Sequence, residues 1–180
     1  MSKKINNDKT PRNKVKNNNV SKDNDDIVIS LRYENWVKGE RVNSLTTYTK
    51  DENQFLKNII YILNTLFPYV YKNWKNKGIN DHCHPIKQND EKSRNVFSKY
   101  IKLIKKLHPN LLKNDNEELE LYQLGLGRSI RVICSRIDNT LFPLLIDHHH
   151  LGYESQSYND KDTKKYDYCP LRKYNKNQDN

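Results

Sequence analysis

The apolar residues of this sequence are concentrated in its middle, and their distribution divides the chain into three regions. Residues 1–26 contain only four apolar residues among Lys, Asn, Asp and Ser. Such a segment cannot bury enough surface to offset the entropy lost on ordering, so we predict a disordered basic arm. Residues 27–153 carry periodic apolar patterns and are predicted to form a single domain. The polar residues 154–180 are predicted to be a C-terminal extension that is partly disordered.

Two segments have the period of a helix with one buried side. The first follows Thr49 and Glu52, which have the spacing of a capping box, and Pro68 is expected to end or kink it. Asn89 or Asp90 can cap the second helix. The two apolar stripes are Phe55, Ile59, Ile62 and Leu66, then Val96, Tyr100, Leu103, Ile104 and Leu107.

Alternating residues predict the strands. In residues 27–33 the odd-numbered positions form one apolar side, which is typical of a strand with a buried face. Three later segments are predicted to be antiparallel strands: 121–126, 129–137 and 140–147. Asp138-Asn139 suits a two-residue hairpin turn, and Pro143 indicates an edge position or a bulge. This order predicts an α+β fold: a small antiparallel sheet with two helices packed on one face, and disordered N- and C-terminal ends.

Composition and charge narrow the class of function. The net charge of +10 and the pI of 9.4 favour a polyanionic partner, nucleic acid before an anionic membrane surface. No run approaches the roughly 18 apolar residues of a membrane span, and no hydrophobic leader is present. A cytoplasmic protein with reduced thiols and no membrane contact is therefore expected. No phosphate-binding loop or dinucleotide fingerprint occurs, so no cofactor is expected.

The histidines are the main chemical signal. They fall in three places: His82 and His84 in a polar loop, His108 at a helix end, and His148, His149 and His150 after the last predicted strand. Imidazole is the side chain best suited to proton transfer near neutral pH. His82 or His84 is therefore predicted to pair with one of the last three in acid–base catalysis.

RNA cleavage needs a base for the ribose 2′-hydroxyl, an acid for the leaving 5′ oxygen and a cation for the phosphorane. Arg131 or Arg128, beside a glycine turn, is predicted to hold the phosphate, and Asp147 to orient a histidine. The predicted catalytic set is His82, His84, Arg131, Asp147, His148 and His150.

Two other interpretations of these residues remain open. A zinc site has suitable ligand atoms in His82, Cys83, His84, Asp147, His148 and His150. However, His-x-His is not the spacing of a zinc finger or ribbon and no CxxC supports it, so no metal ligand is predicted. Alternatively, the histidines are structural and bind only backbone carbonyls.

Lysines on the second helix form a candidate phosphate-facing surface. Together with Arg128, the predicted RNA-binding residues are Lys99, Lys102, Lys105 and Lys106. An ordinary solvated helix face has the same composition.

Part of the sequence resembles the sheet of the RelE/ParE toxin superfamily. The resemblance lies in residues 122–133, which include Arg131-Val132-Ile133, in the Asp138-Asn139 turn and in the segment 144–148. The resemblance covers roughly residues 27–153. It implies two helices before a three-stranded antiparallel run, with Arg131 as the active-face strand arginine and a terminal histidine in the region 148–150. It also implies mRNA cleavage, free or on the ribosome, and neutralisation by an antitoxin. The long N-terminal arm and the C-terminal segment depart from the family pattern.

Three functions are therefore compatible with the sequence. The first is a toxin-like, metal-independent endoribonuclease whose partners are RNA or the ribosome and an antitoxin. The second is a non-catalytic nucleic-acid-binding or regulatory protein. The third is a zinc-stabilised interaction module. The oligomeric state is not predicted.

Overall fold

The structure, a computed structural model, describes residues 26–75, 81–111, 119–153 and 162–178. It contains α-helices and β-strands in a mixed arrangement. The strands are β1 (Val28–Ile29), β2 (Arg41–Val42), β3 (Leu45–Thr46), β4 (His84–Pro85), β5 (Leu121–Leu124), β6 (Arg131–Ile137) and β7 (Thr140–Asp147). The α-helices are α1 (Glu52–Tyr61), α2 (Phe67–Asn73), α3 (Glu91–Leu107) and α4 (Pro170–Lys176). Most of the predicted N-terminal arm, residues 1–25, lies outside the described residues.

Five strands form the main sheet in the order β1-β7-β6-β5-β4, and β2 and β3 form a separate hairpin. β4, β5, β6 and β7 pair antiparallel, as predicted for the last three strands, whereas β1 runs parallel to β7. The turn at Asp138-Asn139 joins β6 to β7, and Asp138 has a positive φ of 51°.

The prediction that both helices cover one face of the sheet is wrong. Side chains of the α1–α2 region share a core with Val132 and Cys134 of β6. Those of α3 share a second core with Ile133. Because successive side chains of a strand point to opposite faces, the helices cover opposite sides of the sheet. Strands that are apolar at consecutive positions require this arrangement, and every residue of β5 is buried.

Pro68 deforms its helix without ending it. A π-helical turn, Ile62–Leu66, connects α1 directly to α2, which begins at Phe67. Proline lacks a backbone N–H group and its ring crowds the preceding turn, so the wider turn accommodates it within a continuous helical segment. Ile62 and Leu66 remain fully buried.

The structure confirms one of the two predicted helix caps and contradicts the other. Asp90 caps α3 as predicted, since its Oδ1 accepts a hydrogen bond from the Ser93 amide at 2.8 Å. The predicted capping box at Thr49 is wrong: Asp51 caps α1 and accepts from the Gln54 amide at 2.8 Å. Thr49 is instead paired through its backbone with Tyr168.

A bulge lies at Pro143, one of the two placements predicted for that residue. Along β6 the partner changes from Leu145 to Pro143 between Ile133 and Cys134, which leaves Leu144 as the extra residue. The Leu144 carbonyl accepts a hydrogen bond from Nε2 of the buried His108 at 2.7 Å. The histidine at the end of α3 therefore satisfies the carbonyl that the bulge removes from the ladder.

The first predicted strand, residues 27–33, is largely wrong. Only Val28 and Ile29 are strand residues, and Leu31 is 51% exposed. After the Ser30 amide donates to the Leu141 carbonyl at 2.9 Å, the chain leaves the sheet. It forms a 3-10 helix over Glu34–Val37 that buries Trp36.

The described part of the C-terminal extension packs on the domain. Arg41 donates through Nη2 to the carbonyls of Thr163 and Tyr166 at 2.8 and 2.9 Å. Cys169 is buried and its Sγ accepts from the Gly39 amide at 3.2 Å. In the described residues, no helix is both long and apolar enough to cross a membrane.

Candidate functional site

A cleft opens at the end of the sheet where β5 finishes, β6 begins and β7 finishes. Its volume is about 330 Å³. The lining residues are His82, His84, Gln123, Gly127, Arg128, Arg131, His150 and Tyr153. The cleft thus gathers imidazoles from two distant segments and two guanidinium groups, as the sequence patterns suggested for part of this set.

The short strand β4 holds the first histidine segment against the sheet. His84 pairs with Gln123 and Pro85 with Tyr122. The buried Cys83 between the two histidines donates its thiol hydrogen to the Gly125 carbonyl at 3.2 Å. Burial raises the pKa of this thiol, so it keeps the hydrogen that it donates. This bond ties the loop to Gly125, while His82 and His84 line the cleft.

The hydrogen bonds of His84 indicate its tautomer. Its Nδ1 lies 3.0 Å from the Pro85 carbonyl oxygen and therefore carries the hydrogen that is donated. Its Nε2 then accepts, and the Gln123 Nε2 lies 3.4 Å away from it. The same amide nitrogen donates to the His82 carbonyl at 3.3 Å. Gln123 therefore joins both histidines of the loop.

Arg131 is a buried cation with incomplete hydrogen bonding. It is only 4% exposed, and its Nη1 donates to the carbonyls of Arg128 and Ile130. Its Nε is buried and has no hydrogen-bond partner among the described residues. Desolvation by burial lowers the pKa of this guanidinium, and the nearby Tyr100 and Asp147 oppose that effect.

Gly125 makes room for the Arg131 side chain. A Cβ atom at Gly125 would lie 2.8 Å from Arg131 Cδ and 2.9 Å from Nε. On the other side of the loop, the Arg128 guanidinium lies over the Tyr61 ring at 4.5 Å from its centroid. Tyr61 also donates its hydroxyl to the Leu126 carbonyl. The loop that carries Arg128 and leads to Arg131 is therefore fixed to α1 by Tyr61 and to the His82 loop by Cys83.

Asp147 positions the turn that follows β7, and it does so through backbone groups. Its carboxylate accepts from the amides of His149, Leu151 and Gly152 at 3.2, 3.0 and 2.8 Å. The Tyr100 hydroxyl adds a fourth bond at 3.0 Å. Burial raises the pKa of Tyr100 far above its usual range, with Asp147 as the second cause, so this phenol remains a donor.

The turn gives His150 a strained backbone. Its φ is +60°, a left-handed value that is uncommon for residues other than glycine and is often found at functional sites. Gly152 is required nearby, because a Cβ there would lie 1.9 Å from the Tyr100 hydroxyl. His150 and Tyr153 consequently face the cleft.

The other two histidines of the triplet lie in the interior. His148 Nδ1 lies 3.0 Å from Asn58 Nδ2 and accepts from it. Burial lowers the pKa of His148 to about 3, so the ring is neutral at physiological pH. His149 donates through Nε2 to the Tyr48 carbonyl at 2.8 Å and contacts the Tyr166 ring. The structure thus brings His150, but not His148, to the predicted site.

The predicted RNA-binding lysines of α3 lie apart from this cleft. Lys102 and Lys105 are exposed, and Lys106 donates to the Arg41 carbonyl at 2.9 Å. Lys99 lines a second depression at the start of α3, together with Glu91 and Lys92. Of the predicted RNA-binding set, only Arg128 lines the histidine cleft.

Sequence comparison places the chain in a family. A family model described as "Uncharacterised protein UU032" matches residues 32–176. The chain belongs to this UU032 family. It is also 94% identical to "Uncharacterized protein UU032" of Ureaplasma parvum serovar 3 (strain ATCC 700970), over all 180 residues and the full length of both chains. No solved structure matches the chain.

The match to the UU032 family includes every element of the cleft, from the His82 loop to Tyr153. Within the described residues, no group of three or more His, Cys, Asp or Glu side chains is arranged to hold a metal ion. The cleft is lined by the imidazoles of His82, His84 and His150, which can act as hydrogen-bonding groups.

Three lining residues, Gln123, Gly127 and Tyr153, are absent from the predicted catalytic and RNA-binding sets. Gln123 is a polar residue inside an otherwise apolar strand, Leu121-Tyr122-Gln123-Leu124, and it is buried. That interruption is a signal, because a buried amide needs partners. Tyr153 follows the histidine turn, and as an aromatic residue of a basic protein it is a candidate for stacking on a base.

Proposed function

We propose that this protein is an endoribonuclease that holds a phosphodiester of RNA at Arg131 and cleaves it by histidine acid–base catalysis. The carrying observation is Arg131 Nε, a buried guanidinium N–H without a partner among the described residues, in a cleft that also exposes imidazole groups. A guanidinium with free N–H groups suits a phosphate, because its planar donors match two phosphate oxygens.

The charge of the cleft supports an anionic ligand. Two guanidinium groups, those of Arg128 and Arg131, line it, and no carboxylate is among its described lining residues. Asp147 is buried beneath the cleft and its carboxylate already accepts four hydrogen bonds. The guanidinium of Arg131 therefore retains capacity for an external anion.

The chemistry that fits these groups is transesterification within the RNA. The 2′-oxygen forms a bond to phosphorus as its proton passes to one imidazole, and the bond from phosphorus to the 5′ oxygen breaks as a second, protonated imidazole donates to that oxygen. The products are a 2′,3′-cyclic phosphate and a 5′-hydroxyl, and no further reactant is consumed. His84 or His82 and His150 are the proposed pair, with Arg131 stabilising the phosphorane.

A toxin-like role follows if the resemblance to the RelE/ParE superfamily holds. In support, Arg131 is the first residue of β6 and lines the cleft, and His150 follows the last strand. The proposed substrate is then mRNA, free or on the ribosome, and the proposed protein partner is an antitoxin.

Substituting Arg131 tests the proposal. Arg131→Lys retains the charge but loses the planar fork, and is expected to reduce RNA cleavage by about 10²–10³-fold. The matched control is Arg136→Lys on the same strand, where the guanidinium lies over the Trp74 ring at 5.5 Å from its centroid. Cleavage is measured with purified protein, ribosomes and EDTA, and products are analysed for cyclic phosphate ends. Intact RNA with wild-type protein contradicts the proposal.

The second candidate is a nucleic-acid-binding protein without catalysis. The net charge of +10 and the exposed Lys102 and Lys105 favour it. Under this alternative, RNA binding weakens steeply with salt, and Lys102→Ala and Lys105→Ala reduce affinity more than substitution of His84 or His150. Cleavage by wild-type protein distinguishes the two functions.

A further inference from the structure

Gln123 has an unfilled acceptor at the wall of the cleft. Its side chain is only 3% exposed and lines the cleft through the middle of β5. Its Nε2 is occupied by the His82 carbonyl at 3.3 Å and by His84 Nε2 at 3.4 Å. Its Oε1 is buried and has no hydrogen-bond partner among the described residues.

The orientation of this amide is determined by its neighbours. Exchanging the oxygen and nitrogen would bring Oε1 against the carbonyl oxygen of His82, so that two acceptors would face each other. The arrangement with Nε2 toward His82 and His84 is therefore preferred. It leaves the oxygen as the group that a bound molecule can use.

A buried carbonyl oxygen without a donor is unfavourable by about 1–3 kcal/mol, so the site favours a ligand that supplies an O–H or N–H group. Gln123 pairs with Ile133, two residues beyond Arg131 on the neighbouring strand. Such diagonal neighbours in an antiparallel pair lie about 7–8 Å apart, within reach of each other's long side chains. The unfilled acceptor and the incompletely bonded guanidinium therefore belong to one ligand site.

We infer that, in the complex that forms before the reaction, Gln123 Oε1 accepts a hydrogen bond from the ribose 2′-hydroxyl of the nucleotide whose 3′-phosphate is held by Arg131. The same hydrogen then passes to the imidazole as the 2′-oxygen attacks phosphorus. This inference rests on the proposed function and specifies its substrate. In a ribonucleotide the 2′-hydroxyl is on the carbon adjacent to the one that carries the 3′-phosphate, so it is the sugar donor nearest to that anion. Gln123 is thus a specificity-determining residue that distinguishes RNA from DNA.

Ser135 provides an internal control for burial without ligand contact. Its Oγ is also buried without a partner among the described residues, and it pairs with Leu121 in the same sheet. Ser135 does not line the cleft. Its unfilled hydroxyl should therefore have no influence on nucleotide binding.

The experiment measures binding of nucleoside 3′-monophosphates, which lack a 5′ leaving group at that phosphate and are not cleaved. Cytidine 3′-monophosphate is compared with its 2′-deoxy and 2′-fluoro analogues and with inorganic phosphate, by NMR titration of the full chain. The proteins are wild type, Gln123→Met, Ser135→Ala and Arg131→Lys. Wild type is expected to bind the ribonucleotide roughly three- to tenfold more tightly than either analogue, the effect of one hydrogen bond.

In Gln123→Met the preference should disappear while the affinity for inorganic phosphate and the deoxy analogue stays within twofold. Ser135→Ala should retain the preference. Equal binding of the ribonucleotide and both analogues by wild type overturns the inference, even if Gln123→Met does not fold. An unchanged preference in folded Gln123→Met also overturns it. If Arg131-dependent phosphate binding is itself missing, the proposed function fails first; if it is present, only the role of Gln123 is in question.

Discussion

The six histidines form two groups that the protein uses in opposite ways. His82, His84 and His150 line the open cleft. His108, His148 and His149 are buried. The two groups meet in one segment of the sequence, because His148, His149 and His150 are consecutive.

The interior group satisfies fixed polar groups of the fold. His108 donates to the carbonyl of the bulge residue Leu144, and His149 donates to the carbonyl of Tyr48. His148 accepts from Asn58, and burial lowers its pKa to about 3. His148 is held as a neutral ring, and His108 and His149 each donate to one carbonyl. None of the three lines the cleft.

The consecutive residues His148, His149 and His150 show how the separation arises. Asp147 binds the amides of the following turn, and His150 adopts a left-handed backbone. The chain reverses at this point, so the third imidazole leaves the interior that encloses the first two. A histidine cluster in a sequence therefore predicts where imidazoles lie, whereas the backbone conformation of His150 determines that its ring lines the cleft.

The largest expected effect is acid sensitivity caused by His148. Its folded-state pKa of about 3 is below the unfolded value of 6.5, so the unfolded state binds the proton first as the pH falls. Stability should decrease from pH 6.5 toward pH 3, by up to about 5 kcal/mol from this residue. The lowered pKa of His108 acts in the same direction.

Urea unfolding between pH 7.5 and 4 measures this loss. His148→Gln keeps an acceptor near Asn58 but cannot titrate, so its stability should depend much less on pH in this range. His82→Gln, at an exposed position of the cleft, serves as the control and should show the wild-type curve. If the free energy of unfolding of His148→Gln depends on pH as that of the wild type does, protonation of His148 is not the cause of the acid sensitivity.

The next effect separates the groups by activity. His150→Gln should reduce RNA cleavage by about 10²–10⁴-fold, the usual contribution of a general acid or base, without a change in melting temperature. His149→Leu should lower stability by about 1–3 kcal/mol, because the buried Tyr48 carbonyl loses its donor. Its cleavage rate per folded molecule should be unchanged. The reverse result, stable His149→Leu and active His150→Gln, would abolish the distinction.

The predictable parts of the fold are those whose determinants are local. The stripe of α3 has one period and one cap, and its five predicted core residues are all buried. The β6–β7 hairpin follows from alternation and the Asp138-Asn139 turn. In contrast, the pairing of β1 with β7 joins Val28 to Thr140, and no local pattern encodes such a distant parallel contact.

The arrangement of layers differs from the prediction for a related reason. Packing both helices on one face would leave the other face of the sheet uncovered, but Arg131, Ile133 and Ser135 of β6 are buried, as are Val132 and Cys134 on the opposite face. The apolar faces of α1 and α3 each need a sheet surface, and β5 and β6 have buried residues on both of their faces.

Part of the site is predictable because its histidines cluster in the sequence. His82, His84 and Arg131 were expected in one place and line one cleft. Gln123 was not expected, because its partners are the His82 carbonyl and His84, which lie about 40 positions earlier in the sequence. The role of Asp147 is visible only in the structure, because its carboxylate accepts hydrogen bonds from backbone amides.

The smallest expected effect tests whether the placement of Arg131 matters to the proposed chemistry of the cleft histidines. In Gly125→Ala the added Cβ would lie 2.8 Å from Arg131 Cδ, so the guanidinium must shift while every cleft histidine is retained. Since small displacements of a catalytic group reduce rates strongly, cleavage should fall about ten- to hundredfold. Gly39→Ala is the control, because its Cβ would be equally crowded, at 2.4 Å from Tyr48, but far along the chain from the cleft. Both variants should lose stability, and only Gly125→Ala should lose activity per folded molecule. Equal activity in the two would show that the position of the guanidinium is not part of the chemistry, and the cleft histidines would then act without it.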